Sequence, residues 1–149
     1  MIYQEESYFE VKDDIKPLLE KHWDKAALYK DKIKIDPDWN AYKIAYMHGI
    51  LKIYTARKDG DLVGYIIVSV VPNMHSKSHI MASCDLIFVI PEARKGMTGY
   101  KLIKYAEIKL KELGVGVFNI NTKVDAPFDS LMERMSYNLV ERAYSKFIG

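Results

Sequence analysis

Apolar positions along this chain recur first at helical spacing, then in alternation, then at helical spacing again. Ile15, Leu19, His22/Trp23 and Ala26 lie three to four apart, which predicts a helix capped by Asp14 with Pro17 tolerated in its first turn. Residues 1–5 ahead of it read as a short strand. Asp36-Pro37 is a second cap-and-proline start, and Trp39, Tyr42 and Tyr46 carry that helix to a stop at Gly49. Residues 50–57 and 62–71 then read as strands, joined by Lys58-Asp59-Gly60-Asp61 with its Asp-Gly hairpin signal. Residues 72–77 read as a polar loop and 79–90 as the third strand of an antiparallel meander. Gly99, Leu102/Ile103, Ala106, Leu110 and Leu113 form the stripe of the next helix, which Gly114 ends. Lys101, Lys104, Glu107, Lys109 and Lys111 fall on its solvated face. A helical crossover joins parallel strands, so residues 115–121 are predicted to run parallel to 79–90. Asp125 with Pro127 starts a last helix reaching about residue 137, and two short strands near 139–142 and 144–148 close the chain.

The chemistry concentrates between the third strand and its helix. Val89-Ile90-Pro91 is followed by Glu92-Ala93-Arg94-Lys95-Gly96-Met97-Thr98-Gly99-Tyr100. The first N–H groups of a helix have no internal partner and carry the positive end of its dipole. Gly96 and Gly99 leave room for a ligand near the backbone, and Arg94 and Lys95 add full charge. The segment is built to cradle a phosphate. It lacks Gly-x4-Gly-Lys-Ser/Thr and Gly-x-Gly-x-x-Gly, so it is neither a P-loop nor a dinucleotide fingerprint.

Length and composition narrow the rest. The 149 residues suit a single domain spanning 1–149, and 49% hydrophobic residues can fill its core. Net charge is +2, so no footprint for general nucleic-acid binding exists. The lone Cys84 sits in an apolar strand and reads as an inert thiol. No Cys/His set has zinc spacing, and no metal site is expected. No apolar run reaches membrane-spanning length and no leader pattern is seen, which predicts a cytoplasmic location and no membrane partner.

The loop resembles the pyrophosphate-binding loop of the GNAT (Gcn5-related N-acetyltransferase) superfamily, Arg/Gln-x-x-Gly-x-Gly/Ala after a strand ending in a hydrophobic residue, any residue and proline. Arg94 takes the first motif position and Gly99 the last. Met97 stands at the inner glycine position, with a glycine one residue earlier at Gly96. The predicted order of elements is that of the same superfamily over the full chain. Lys16-Pro17-Leu18-Leu19-Glu20-Lys21-His22-Trp23, Thr55-Ala56-Arg57 before Gly64-Tyr65, and Glu133-Arg134-Met135-Ser136-Tyr137 resemble its bacteriophage-encoded members. The implied fold is α/β (α+β), with a mixed, mostly antiparallel sheet, a V-shaped splay between two parallel central strands, and about four helices.

The resemblance implies acyl transfer from acetyl-CoA, as cosubstrate, to an amine acceptor; a homodimer is admissible. The pantetheine arm would follow the backbone of Ile87, Phe88 and Val89. The pyrophosphate would rest on Lys95, Gly96, Met97, Thr98, Gly99 and Tyr100, with Arg94 nearby. An alkylamine has a pKa of about 10.4, so keeping it neutral at pH 7 costs roughly 4.6 kcal/mol. A carboxylate can take that proton. Asp85 is the only acid on the strand before the loop, and strict alternation places it on one face with Ser83, Ile87 and Val89, opposite Cys84, Leu86 and Phe88. The family's better-known glutamate falls at Ser83. The family's tyrosine acid falls at Met132, which leaves Tyr144 or Tyr137 as substitutes, Tyr144 favoured, or water. His75, in the 72–77 loop expected to line the acceptor side, is a second candidate base. His22 and Trp23 would lie on the helix that frames the acceptor pocket. The rival to an enzyme is a GNAT-shaped module that binds acyl-CoA or a protein without turnover.

Overall fold

A computed structural model describes residues 1–26 and 28–149. Five strands form one sheet in sequence order: β1 Ile2–Glu5, β2 Leu51–Lys58, β3 Asp61–Asn73, β4 Ser76–Val89 and β5 Val115–Asn119. The first four pair with one another antiparallel, and β5 runs parallel to β4. Helices α1 Tyr8–Ala26 and α2 Trp39–Met47 cover one face, and α3 Thr98–Glu112 covers the other. A short α4, Asp129–Arg134, follows β5.

Period-two alternation in the sheet feeds two cores. Ile53, Tyr65, Ile67 and Phe88 meet Val11, Ile15, Leu18 and Leu19 of α1. Tyr54, Ile66, Val68, Ala82 and Val89 meet Leu102, Ile103, Ala106 and Leu110 of α3. Of the expected stripes, Ile15 and Leu19 in α1 and Leu102, Ile103, Ala106 and Leu110 in α3 are buried, His22 and Trp23 are half-buried, and Leu113, past the end of α3, is exposed; the side chain of Ala26 lies outside the described residues.

Several boundaries differ from the sequence reading, each for a local reason. Helix α1 begins before Asp14, because Ser7 and Glu10 form a capping box. The Ser7 hydroxyl accepts the Glu10 N–H at 3.2 Å, and the Glu10 carboxylate accepts the Ser7 N–H at 3.0 Å. Pro17 is thus inside the helix, on its exposed side, where the carbonyl it leaves free meets water. Asp38 rather than Asp36 caps α2, accepting the Ala41 N–H at 2.9 Å. The 72–77 loop is instead a tight turn at Met74-His75, with β3 and β4 running through the remainder. The last helix starts at Asp129, and residues 138–149 form no strand.

One ion-pair network ties the first core together. Glu6, only 10% exposed, accepts from Arg57 at 2.9–3.2 Å and from the Thr55 hydroxyl, while Arg57 also reaches Asp14 at 2.7 Å and the Gly60 carbonyl at 2.9 Å. Burial alone would raise the Glu6 pKa, but the hydrogen bonds from Arg57 and Thr55 prevail and hold it below its ordinary value. A depressed folded-state pKa gives stability that is present above the unfolded value, near 4.3, and is lost as pH falls through the folded one. Glu6→Gln is expected to lower unfolding free energy at pH 7 by about 1–3 kcal/mol. Urea melts should also show less acid destabilisation in the variant than in the wild type; equal acid slopes would remove Glu6 from the linkage.

Candidate active site

The site is built on a defect in β4. Ile67 pairs with Leu86 and Val68 with Cys84, so Asp85 has no counterpart on β3. This bulge breaks the strand's alternation. Cys84, Ile87 and Val89 pack with the α3 core, while Leu86 and Phe88 pack with the α1 core. Asp85 turns towards α2, where the Tyr42 hydroxyl donates to its Oδ2 at 3.4 Å. The expectation that Asp85 shares a face with Ile87 and Val89 is therefore corrected: strict alternation fails at the extra residue.

Strand β5 pairs with β4 only from Ile80 to Ser83. From Cys84 to Val89 that edge of β4 faces a gap, with its outward backbone groups unpaired by any strand. The ladder to β3 ends with Ile90 N–H on the Val63 carbonyl at 2.9 Å, and Pro91–Ala93 makes one 3-10 turn. Arg94 folds back along the gap. Its Nε donates to the Val89 carbonyl at 2.9 Å and its guanidinium lies 5.8 Å from the Phe88 ring centre. It remains exposed, as does Lys95.

Gly96 and Met97 then both adopt positive φ, 85° and 67°. This consecutive pair turns the chain into α3. Met97 has no side-chain cap to offer, and the first helical bond is Lys101 N–H to the Met97 carbonyl at 2.9 Å. The N–H groups of Thr98, Gly99 and Tyr100 thus have no partner among the described residues. A Cβ at Gly96 would meet nothing within 4 Å, and one at Gly99 only a Leu131 methyl at 3.9 Å. The residues fit an anionic ligand held by backbone, with space beside them and cations nearby.

On the α1 side, His22 stacks on Phe88 at 5.0 Å, and its Nδ1 lies 3.2 Å from the Tyr65 hydroxyl. Burial lowers its pKa, and Lys123 and Arg94 push the same way, so at neutral pH it is an uncharged imidazole. Burial, together with the Asp85 charge and hydrogen bond, raises Tyr42 to about 12. Burial and Asp85 also raise the Cys84 thiol to about 12, which removes it as a nucleophile at neutral pH. Trp23 is half-buried, its indole N–H without a partner among the described residues.

The structure gathers Asp85, Ile87, Phe88, Val89 and the 94–100 loop around one gap. It does not bring His75 there. That residue sits in the β3–β4 turn, ten residues from Asp85 along the chain, roughly 30 Å at about 3.3 Å per residue. Tyr144 is 92% exposed on a segment without a strand, so its expected apolar setting is absent. Tyr137 packs on Phe118 and donates to Glu107 at 2.9 Å; burial, with Glu107 adding to it, raises its pKa strongly. Met132 is buried in the α3 core. Sequence reasoning missed Tyr42 and Lys123. The Trp39-Tyr42-Tyr46 spacing signals a helix face, and only the bulge shows that Tyr42 meets Asp85. Among the described residues, no helix is long and apolar enough to cross a membrane, and no group of three or more His, Cys, Asp or Glu could hold a metal ion.

A model of the acetyltransferase (GNAT) family matches residues 9–129. No curated protein matches the chain. Among solved structures, a ribosomal-protein-alanine N-acetyltransferase from Brucella melitensis biovar Abortus 2308 aligns with a TM-score of 0.75 at 19% identity, covering 99% of this chain and 100% of that one. An aminoglycoside acetyltransferase, HMB0005, from an uncultured soil metagenomic sample gives 0.79 at 12% identity, with 99% and 98% covered. A predicted acetyltransferase from Clostridium acetobutylicum, with acetyl-CoA, gives 0.73 at 8% identity, with 98% and 95% covered. The chain belongs to the acetyltransferase (GNAT) family and has its fold.

Met97 stands where the family loop has glycine, at a φ that disfavours any side chain by about 1–2 kcal/mol. Met97→Gly is expected to stabilise the protein by about 1 kcal/mol, part of the relief being offset by glycine's greater freedom when unfolded. That corresponds to a melting shift of roughly 2–4 °C. A lowered melting temperature would show that the Met97 side chain packs to more effect than its strain.

Proposed function

We propose that this chain is an acyl-CoA-dependent N-acyltransferase that transfers acetyl from acetyl-CoA to an amine by direct attack. One observation carries the reading. The edge of β4 that no strand pairs is joined, through the 91–97 turn, to free N–H groups at the start of α3, and an exposed acid lies at the bulge beside that edge. The edge from Ile87 to Val89 would hold the pantetheine amides, and residues 95–100 the pyrophosphate. The relative solved with acetyl-CoA supports the choice of cosubstrate.

Acetyl-CoA would supply an acyl group activated as a thioester. The chain's part is to align the amine and accept its proton. Asp85 is exposed, so an ammonium can reach it, and Tyr42 orients its carboxylate. The amine proton passes to Asp85, directly or through water, as the C–N bond forms and the C–S bond breaks. His22 is a neutral imidazole on the same side and stands as the second acceptor. Water is left to protonate the departing thiolate. Met132 replaces the family's tyrosine, and Tyr144 has no strand to hold it at the gap. The same absence favours the second reading, an acyl-CoA-binding module without turnover.

Thermal melts with acetyl-CoA at a hundred times its dissociation constant should show stabilisation of roughly 2.7 kcal/mol. Failure of CoA and acetyl-CoA alike to shift the melt would end both readings. Asp85→Asn is expected to lower turnover by roughly a hundredfold or more with little change in acetyl-CoA affinity. The loss should be deepest near neutral pH and partly recovered at high pH, where more amine is already neutral. Undiminished turnover would move the proton to His22 or water. A panel of amines, lysine peptides and polyamines included, that releases no CoA would favour the module.

A further inference from the structure

One cation at the gap has no partner. Lys95 lies in the phosphate loop and Arg94 bonds the Val89 carbonyl, but Lys123 is exposed and forms no ion pair among the described residues. Its backbone is held in place. The Ala126 N–H bonds its carbonyl at 3.2 Å, and beside it the Thr122 hydroxyl donates to Asp129 at 3.2 Å. Ile120, just before them, packs against the α3 core. Strands β4 and β5 run the same way, and their last pair is Ser83 with Asn119. Beyond that pair one line continues to Asp85 and Phe88. The other reaches Lys123 on the opposite bank of the gap.

The two banks carry opposite charge. Asp85 is exposed, and its one hydrogen-bond partner among the described residues is the Tyr42 hydroxyl. Lys123 faces the same opening, since its charge reaches His22, which stacks on Phe88 at 5.0 Å. Arg94 adds a second positive charge there. A polyamine would bring further ammonium groups against these cations, and like charges set together cost binding. A compact amine that also bears an anionic group meets a carboxylate at one end and an ammonium at the other.

Resting on the acyltransferase reading above, we propose that the acceptor is a zwitterionic amine, its ammonium drawn to Asp85 and its carboxylate to Lys123, and that Lys123 is the residue that selects it. A lysine suits this role. Its point charge stands on a flexible stem and can follow carboxylates at more than one distance from the amine. Acylation removes the ammonium charge, so the product keeps the Lys123 contact and loses the one to Asp85. The pair therefore favours substrate over product and discriminates at the acceptor without touching the cofactor.

The test compares β-alanine, γ-aminobutyrate and ε-aminohexanoate, each with its amide and with the diamine of the same length. Within a set the far end is anionic, neutral or cationic. Release of CoA from acetyl-CoA is followed at low ionic strength, after melts have established that acetyl-CoA binds. For the best-fitting set, kcat/KM should be roughly tenfold higher for the carboxylate than for the amide, as one charge-assisted contact gives, and lowest for the diamine. The difference should shrink as salt rises. Lys123→Gln should erase the preference, Lys123→Arg keep it and Lys123→Glu turn it towards the diamine, each with the acetyl-CoA-dependent melt shift of the wild type. If acetyl-CoA binds and no carboxylate is preferred, whether or not any amine is turned over, the proposal is overturned and cofactor binding stands. An unchanged preference in Lys123→Gln overturns it as well. So does a loss of acetyl-CoA affinity in that variant, which would assign Lys123 to the cofactor. A melt unmoved by acetyl-CoA removes the reading on which the proposal rests.

Discussion

A single unpaired residue in β4 organises the rest of the site. The bulge at Asp85 reverses which side chains of β4 face which helix layer, so Cys84 and Ile87 face the same core. Bulges also bend a strand and sharpen its twist. Here the bend begins next to the point where β5 stops pairing, just after Ser83. The open edge, the acid that points to α2 and the Phe88 platform under His22 lie next to the same local irregularity. An ideal alternating strand in phase with Ile87 and Val89 would bury Asp85 on the α3 side, where an unpaired charge is untenable.

The second constraint is the turn from β4 into α3. Two successive residues with positive φ are a costly conformation, and Met97 is not the residue that tolerates it best. What the turn achieves is a helix start with three N–H groups that have no partner among the described residues, with space left beside Gly96 and Gly99. Arg94 reinforces the turn from the strand side by bonding the Val89 carbonyl. It joins loop and strand, and its charge also helps to keep His22 neutral. Helix dipole, backbone donors and side-chain cations therefore act at one place.

Most of the fold was legible because it rests on periodicity. Stripes at Ile15–Leu19 and Leu102–Leu110, the Asp59-Gly60 turn and the Gly114 stop depend on local sequence, and all are present. Helix starts were less legible, since Asp14 and Asp36 compete with Ser7 and Asp38 as caps, and only the hydrogen bonds made decide between them. The strand pattern after residue 138 reads as a closing hairpin, yet strand-forming side chains do not pair without an edge beside them.

By itself, the sequence determined the order of elements as far as the last helix, the two amphipathic helices, the meander and the phosphate-type loop, because each depends on residues within a turn or two of one another. Only the tertiary structure decided which side chains share a site. Asp85 meets Tyr42, and His22 meets Tyr65 and Phe88, across 43 or more residues of chain. The first of these meetings follows from a one-residue register shift between β3 and β4. A register shift is set by the pairing of two strands, and no pattern within either strand alone encodes it.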